Sequence, residues 1–220
     1  MKDSLPELLR WLDLAGVFAN AVLGGALARR YRFDPIGFAV LATASGLGGG
    51  IIRDVLLQRG TPIALRDDAY LLTALVGAAF AFLVASEGQA WHKIFPFVDA
   101  FALGCWAAVG TQKALHFGLD WLPALFLGTV TAVGGGVVRD LCVGRIPTVF
   151  GRNTLYATCA LVASAVMVLM EKAGLTSAGV LSATVVGALL CLMARWRGWM
   201  LPEGMDLVSR VRLKPTERDD

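Results

Sequence analysis

The heptapeptide Gly-Gly-Gly-Ile-Ile-Arg-Asp at 48–54 returns 86 residues later as Gly-Gly-Gly-Val-Val-Arg-Asp at 134–140. The same offset aligns 11–88 with 97–174 without a gap, and 21 of these 78 positions are identical. Several of the identical positions carry charges, which membrane segments usually avoid. The chain therefore contains an internal duplication.

Both copies of the motif lie inside long apolar segments. Hydrophobic residues make up 56% of the 220 residues and charged residues 17%, and the mean hydropathy is +0.65. About a quarter of the residues in a soluble domain are charged, so this composition excludes an ordinary soluble protein. The segments approach the ~20 residues that cross a bilayer as a helix and lack the alternation of barrel strands. The seven predicted helices are 11–28, 36–57, 69–86, 94–115, 121–143, 154–170 and 173–194.

The predicted fold is an all-α integral membrane protein with seven transmembrane helices. Two three-helix repeats occupy 11–88 and 97–174, the seventh helix occupies 175–195, and a cytoplasmic tail occupies 196–220. Because three is an odd number, the second repeat must enter the membrane from the opposite face. Inverted repeats of this kind are typical of transport proteins whose site lies between the repeats.

Lysine and arginine are unevenly divided between the two predicted sides of the membrane. Seven lie on the side of the N-terminus and thirteen on the side of the C-terminus, six of them after the last helix. The side richer in these residues is usually cytoplasmic. The sequence therefore predicts a multi-pass protein of the cell inner (plasma) membrane, with its N-terminus outside and its C-terminus in the cytoplasm.

Three consecutive glycines destabilise a helix by about 1 kcal/mol each relative to alanine, so their presence requires an explanation. One interpretation is a bend or local unwinding, which a membrane tolerates only inside protein or beside a water-filled cavity. Arg53 and Arg139 follow within one turn, where a charge needs water or a partner. The alternative is close helix packing, with arginines that extend to the membrane surface. The association of glycines with Arg-Asp in both copies favours a pore or binding site.

The charges of the motif need partners. Arg53 and Asp54 are adjacent, so their side chains diverge by about 100° around a helix and are predicted not to pair with each other. The predicted partners come from the other repeat or from Asp13 and Asp99. These two acids are predicted in the first turns of helices one and four, where an interaction with the helix dipole explains them equally well.

Few other residues suggest chemistry. Lys113 ends the fourth predicted helix, its counterpart in the first repeat is Leu27, and on spacing alone it reaches the membrane surface. The only histidines, His92 and His116, lie in or beside loops, and the four cysteines lack metal-ligand spacing. We therefore expect no enzyme activity, no cofactor and no metal site. No basic stripe with interleaved aromatic residues predicts a nucleic-acid partner.

Each copy of the motif is followed by arginine and proline, as Arg59 and Pro62 and as Arg145 and Pro147. In this respect the chain resembles, over residues 11–195, the prokaryotic trimeric intracellular cation (TRIC) channels. The same domain is also named a glycine transporter in many bacterial proteins. The resemblance implies a homotrimer in the lipid bilayer, with one pore per protomer that conducts monovalent cations, chiefly K⁺. A transporter of glycine or another small amino acid on the same fold is the alternative.

The resemblance also implies roles for individual residues. Helices two and five would line the pore and bend at the glycine runs, and the segment that contains Thr111 and Lys113 resembles the fourth helix of the family. Asp13, Asp99 and Thr111 are secondary candidates. The implied hinges are Gly48, Gly49, Gly50, Gly134, Gly135 and Gly136, and the implied pore charges are Arg53, Asp54, Arg139, Asp140 and Lys113.

Overall fold

The computed structural model describes residues 4–84, 89–150 and 155–200, and within these ranges it contains seven α-helices and no strand. Of the predicted tail at 196–220, everything from 201 onward lies outside the described residues. One short 3-10 helix precedes the third α-helix and another precedes the sixth, at Ile63–Leu65 and Thr148–Phe150. The α-helices are α1 (Ser4–Arg30), α2 (Pro35–Leu57), α3 (Asp68–Leu83), α4 (Gln89–His116), α5 (Trp121–Cys142), α6 (Tyr156–Lys172) and α7 (Thr176–Arg197).

The second helix of each repeat starts in the same way. Asp34 and Asp120 are equivalent in the two repeats, and each has an extended backbone conformation just before its helix. The Asp34 side chain accepts a hydrogen bond of 2.7 Å from the backbone N–H of Gly37, and Asp120 accepts one of 3.3 Å from Trp121. Aspartate is among the preferred residues at this position because it satisfies an N–H that the helix leaves unpaired.

Five helices, α1, α2, α4, α5 and α7, are long and apolar enough to cross a membrane. The other two are shorter, with 16 residues in α3 and 17 in α6. At 1.5 Å per residue these two extend about 25 Å, against a hydrocarbon core of about 30 Å. The predicted class is confirmed as an all-α membrane fold of seven helices, with two inverted three-helix repeats followed by α7.

The two repeats meet at the centre of the molecule. α1 contacts α4, and α2 contacts α5, so each of these helices packs against its own counterpart. α3 packs on α1 and α2, and α6 packs on α4 and α5 in the same manner. α7 covers α4 and α6 from outside the duplication. The α1–α4 and α2–α5 contacts form the repeat interface, where a site is expected in an inverted repeat.

The glycine runs lie where α2 and α5 cross. A Cβ atom on Gly49 would overlap the carbonyl oxygen of Thr131, and a Cβ atom on Gly135 would overlap the carbonyl oxygen of Ser45. Ser45 and Thr131 are equivalent residues, so the contact has the symmetry of the duplication. Glycine is required because it lets two helix backbones approach this closely.

Both helices continue without interruption through their glycine runs. The local unwinding that three consecutive glycines led us to expect is therefore absent from α2 and α5. Each run instead packs against the other helix, with Gly48 beside the side chain of Val138 and Gly134 beside the backbone of Gly49. These contacts offset the poor helix propensity of glycine. A hinge function for the six glycines stays a prediction.

We expect Gly49→Ala and Gly135→Ala to destabilise the protein, because each adds a methyl group where a carbonyl oxygen of the other helix already lies. Overpacking of this kind costs about 1–3 kcal/mol, which thermal unfolding in detergent measures. Gly50→Ala is the matched control, since its added Cβ would lie 3.7 Å from Nη2 of Arg53, an ordinary contact. A control as unstable as Gly49→Ala would contradict the packing explanation.

Candidate ion pathway

The third glycine of each run lies beside the arginine of the same motif. A Cβ atom on Gly50 would lie 3.7 Å from Nη2 of Arg53, and one on Gly136 would lie 3.6 Å from Nη2 of Arg139. Side chains on an α-helix point back towards its N-terminus, so a residue covers the surface three positions before it. Each guanidinium group therefore lies along its own helix, next to the third glycine of the run.

Arg53, Asp54, Asp13 and Lys113 form one group of charges, the first-repeat cluster. Nε of Arg53 donates to Oδ1 of Asp54 at 2.8 Å, and Nη2 of Arg53 lies 3.6 Å from Oδ2 of Asp13. Nζ of Lys113 donates to the same Oδ1 of Asp54 at 3.1 Å. The Arg53 side chain is fully buried, whereas Lys113 is 23% exposed. Two positive and two negative groups balance one another, which burial of charge requires.

The pairing of Arg53 with Asp54 shows that our prediction for adjacent side chains was wrong. Their Cβ atoms do diverge around the helix, but the long arginine side chain curves round, so that Nε reaches the shorter carboxylate. Arg139 makes the same contact with Asp140, at 3.3 Å. The other predicted partner of Arg53, Asp13, does face it, at 3.6 Å.

Asp13 and Asp99 do not lie in the first turns of their helices, so the helix-dipole explanation was also wrong. Polar residues extend α1 and α4 beyond the start of their apolar segments, and both acids lie well inside the helices. Each accepts a hydrogen bond from a tyrosine of the third helix in its repeat. The Tyr70 hydroxyl donates to Asp13 at 3.0 Å, and the Tyr156 hydroxyl donates to Asp99 at 2.8 Å.

The second carboxylate oxygen of each motif aspartate holds the loop that follows its helix. Oδ2 of Asp54 accepts a hydrogen bond from the backbone N–H of Ile63 at 2.9 Å. Oδ2 of Asp140 accepts hydrogen bonds from the backbone N–H and the hydroxyl of Thr148, at 3.0 and 3.2 Å. Both donors begin a 3-10 helix. Each aspartate thus pairs with an arginine and anchors the loop that leads to the third helix.

Arg139, Asp140, Asp99 and Arg195 form the second-repeat cluster, which is not a copy of the first. Nη2 of Arg195, on α7, donates to Oδ2 of Asp99 at 2.8 Å. Among the described residues, the only ion pair of Arg139 is the one with Asp140. Asp99 is therefore not the partner of Arg139, contrary to our expectation, because Arg195 from the unduplicated helix binds it instead.

A cavity of ≈ 630 Å³ opens beside the second-repeat cluster. Its wall includes parts of α1, α4 and α5, the loop after α5 and the end of α7, and it reaches the glycine run at Gly136. Six charged side chains line it: Arg30, Asp99, Arg139, Asp140, Arg145 and Arg195. At the first-repeat cluster, in contrast, the arginine is fully buried.

Thr111 lies in the packing of α4 against α5. Its side chain is fully buried, its hydroxyl donates to the carbonyl oxygen of Ala107 at 2.7 Å, and it occupies the space that a Cβ on Gly128 would need. The hydroxyl is thus engaged by its own helix, and no hydrogen bond joins it to either charge cluster in the described part of the chain.

Sequence reasoning missed the hydrogen-bonding roles of Tyr70, Tyr156, Thr148 and Arg195. The two tyrosines do carry a signal, because they are identical in the two repeats and lie at the same spacing from Asp13 and Asp99. Arg195 carries none, since α7 has no copy with which to compare it.

Comparison with known proteins places the chain in a family. A family model described as "Glycine transporter" matches it twice, over residues 10–86 and 96–172. A UPF0126 membrane protein of Deinococcus radiodurans is 39% identical over 201 residues, which are 90% of this chain and 92% of that protein. A UPF0126 inner membrane protein of Escherichia coli K12 is 33% identical over 156 residues, 70% of this chain and 75% of that protein. The chain belongs to this family of membrane proteins.

Solved structures connect the family with channels. The TRIC trimeric intracellular cation channel orthologue from Rhodobacter sphaeroides has a TM-score of 0.80 and 30% identity, over 86% of this chain and 98% of that one. A second TRIC cation channel has a TM-score of 0.81 and 27% identity, over 89% and 97% of the two chains. A TRIC channel from C. elegans, at 14% identity and a TM-score of 0.60, shares the fold alone. The predicted resemblance to TRIC channels is confirmed.

We expect Asp54→Asn to lower the thermal unfolding midpoint strongly, because it leaves Arg53 and Lys113 without their shared carboxylate. Breaking a buried ion pair costs about 3–5 kcal/mol. Asp67→Asn is the matched control: Asp67 pairs with Arg10 at the same 2.8 Å, but the two side chains are 28% and 46% exposed.

An exposed pair is worth at most about 1 kcal/mol, and asparagine retains the capping function of Asp67 at the start of α3. The control variant should therefore unfold near the wild-type midpoint. Equal losses in the two variants would show that burial of the first-repeat cluster contributes nothing to stability.

Proposed function

We propose that the protein is a homotrimeric channel for monovalent cations, chiefly K⁺, with one pore inside each protomer. The observation that carries this proposal is the unequal access to the two ends of the repeat interface, a wide cavity at one and a closed charge cluster at the other. The solved structures with this fold are TRIC cation channels, which supports both ion passage and self-association.

The cavity is the candidate entrance. It reaches Gly136 at the crossing of α2 and α5, so an ion inside it has reached the interface between the repeats. At the other end, Arg53 and Lys113 share the carboxylate of Asp54 and close the interface. The cavity at one end and the buried ion pairs at the other support a pathway that is open at one end and shut at the other.

Lys113 is the candidate gate residue. It is the most exposed member of the first-repeat cluster, and it belongs to α4, whereas Arg53 and Asp54 both belong to α2. A displacement of α4 relative to α2 would separate Lys113 from Asp54 and leave the other pairs in place. Arg53 would then face two carboxylates, Asp54 and Asp13, and this local net charge of −1 attracts a cation.

The glycine runs are the candidate hinges for such a displacement. Glycine weakens a helix by about 1 kcal/mol per residue relative to alanine, so α2 and α5 deform most readily at their crossing. The motif arginines follow within one turn of the run, and bending there would move them relative to the first helices. In this proposal, the glycine runs let α2 and α5 pack closely in the closed structure and let them bend to reach the open one.

Glycine transport is a second candidate function, favoured by the description of the matching family model. It fits the same inverted repeat, since alternating access also works by movement of one repeat against the other. The two functions differ in rate and in saturation. A transporter turns over with motions of microseconds to milliseconds or longer, whereas ions diffuse through an open pore.

A single-channel recording of Lys113→Met tests the proposed gate. With K⁺ on both sides of a planar bilayer, we expect discrete current steps from the wild type and a several-fold longer open time from the variant. The reason is that methionine cannot pair with Asp54. Lys172→Met is the control, because Lys172 is exposed at the end of α6, where it lies over the ring of Trp121.

If the wild type gives no current in the bilayer and shows saturable glycine counterflow in liposomes of the same preparation, the transporter function is supported and the channel function is rejected. An unchanged open time in Lys113→Met, with the wild type conducting normally, would remove the gate role of Lys113 and leave the channel intact.

We further propose that the N-terminus is outside the inner membrane and the C-terminus is in the cytoplasm, as the lysine and arginine distribution predicts. After replacement of the four native cysteines, a cysteine placed in 61–66 should react with an impermeant thiol reagent in intact cells. A cysteine placed in 29–34 should be protected. The opposite pattern would reverse the orientation.

A further inference from the structure

In the first repeat, the motif arginine has one carboxylate beside Nε and a second carboxylate beside an outer nitrogen. Arg53 contacts the carboxylate of Asp54 at 2.8 Å through Nε, and its outer nitrogen Nη2 faces the carboxylate of Asp13 at 3.6 Å. The guanidinium group thus has the Asp54 carboxylate beside Nε and the Asp13 carboxylate beside Nη2. Because Arg139 is the equivalent residue, this arrangement is a template for the second repeat.

In the second repeat, the aspartate equivalent to Asp13 binds a different arginine. Arg139 contacts Asp140 through Nε at 3.3 Å, but Asp99, the equivalent of Asp13, binds Arg195 at 2.8 Å instead. Among the described residues, Arg139 pairs only with Asp140, and its outer nitrogens donate no hydrogen bond. The side chain remains 14% exposed and lines the cavity.

The charge of the cavity wall also favours an anion. Four arginines face two aspartates, which leaves a net charge of +2. Arg139 and Arg195 each have one aspartate as partner, whereas Arg30 and Arg145 form no ion pair with any described residue. A partly enclosed space with excess guanidinium groups attracts anions, and the effect is stronger there than in open water.

The two aspartates of the cavity wall are already paired. The oxygens of Asp99 accept hydrogen bonds from Tyr156 and from Arg195. The oxygens of Asp140 accept hydrogen bonds from Arg139 and from Thr148. Each of the four oxygens therefore has a donor, and the remaining excess of arginine donors favours an anion over an ammonium group.

We propose that this cavity binds a small carboxylate anion, which lies against the outer nitrogens of Arg139 and within reach of the unpaired Arg145. The ligand would contact Arg139 as the Asp13 carboxylate contacts Arg53 in the first repeat, but from the cavity side. Arginine matches this chemistry because its planar fork donates two parallel hydrogen bonds to one carboxylate. The site goes beyond the proposed passage of cations: one bound carboxylate would lower the positive charge of the cavity wall, which otherwise opposes the entry of a cation.

Acetate is the probe, because the carboxylate is its only polar group. The full-length protein is placed in phosphatidylcholine nanodiscs at constant chloride, and saturation-transfer NMR follows the acetate methyl signal. We expect saturable binding that is about tenfold weaker in Arg139→Gln, the loss expected for a charge-assisted hydrogen bond. The control Arg197→Gln removes an exposed arginine that stacks on Trp196 outside the cavity wall, and it should leave binding unchanged.

A second cavity variant keeps the test decisive if Arg139→Gln fails to fold. Arg145→Gln changes an exposed arginine of the loop and should weaken acetate about threefold. Glycine should bind no more tightly than acetate, because the excess of arginines in the cavity wall repels its ammonium group. Binding that survives both substitutions, an absence of saturable binding, or a clear preference for glycine would each overturn the proposal. None of these readouts depends on whether the protein conducts K⁺.

Discussion

The backbones of α2 and α5 touch where Gly49 lies against Thr131 and Gly135 lies against Ser45. This contact joins the two repeats, and the rest of the structure depends on it. The first two glycines of each run pack against the neighbouring helix, and the third, Gly50 or Gly136, lies beside the guanidinium group of its own motif. One short run therefore sets the distance between the repeats, and the motif charges follow it within one turn. A larger side chain at the crossing would separate the helices and displace both charge clusters together.

The first-repeat cluster also joins the helices of its repeat. In the first repeat, Asp13 of α1 meets Arg53 of α2 and the hydroxyl of Tyr70 on α3, so one carboxylate connects three helices. Asp54 adds the following loop through Ile63. A group that holds three helices in a bilayer cannot move without a change in their packing. The residues that we propose to close the pathway are consequently the same residues that hold the helices of the first repeat together.

Much of the fold could be predicted from the sequence, because apolar length and an exact repeat of charged positions are both visible in it. The helix count, the inverted repeat and the family follow from these signals. The details of the site could not be predicted. Whether glycines unwind a helix depends on the neighbour that packs against them, and whether Arg53 reaches Asp54 depends on the rotamer of a long side chain. The position of Asp13 within its helix was predicted wrongly for a related reason. α1 begins with polar residues, which hydrophobic periodicity does not identify as helical.

Arg195 comes from the one helix that has no copy. A protein made only of two inverted, identical halves would look the same from either side of the membrane, and flow through it would have no preferred direction. By binding Asp99, Arg195 gives one half a different charge arrangement, and Lys113, opposite Leu27 in the alignment, alters the other. The added helix thus makes the charge arrangements of the two halves unequal. In the channel that we propose, this inequality is a source of direction-dependent flow, and part of it lies outside the duplication.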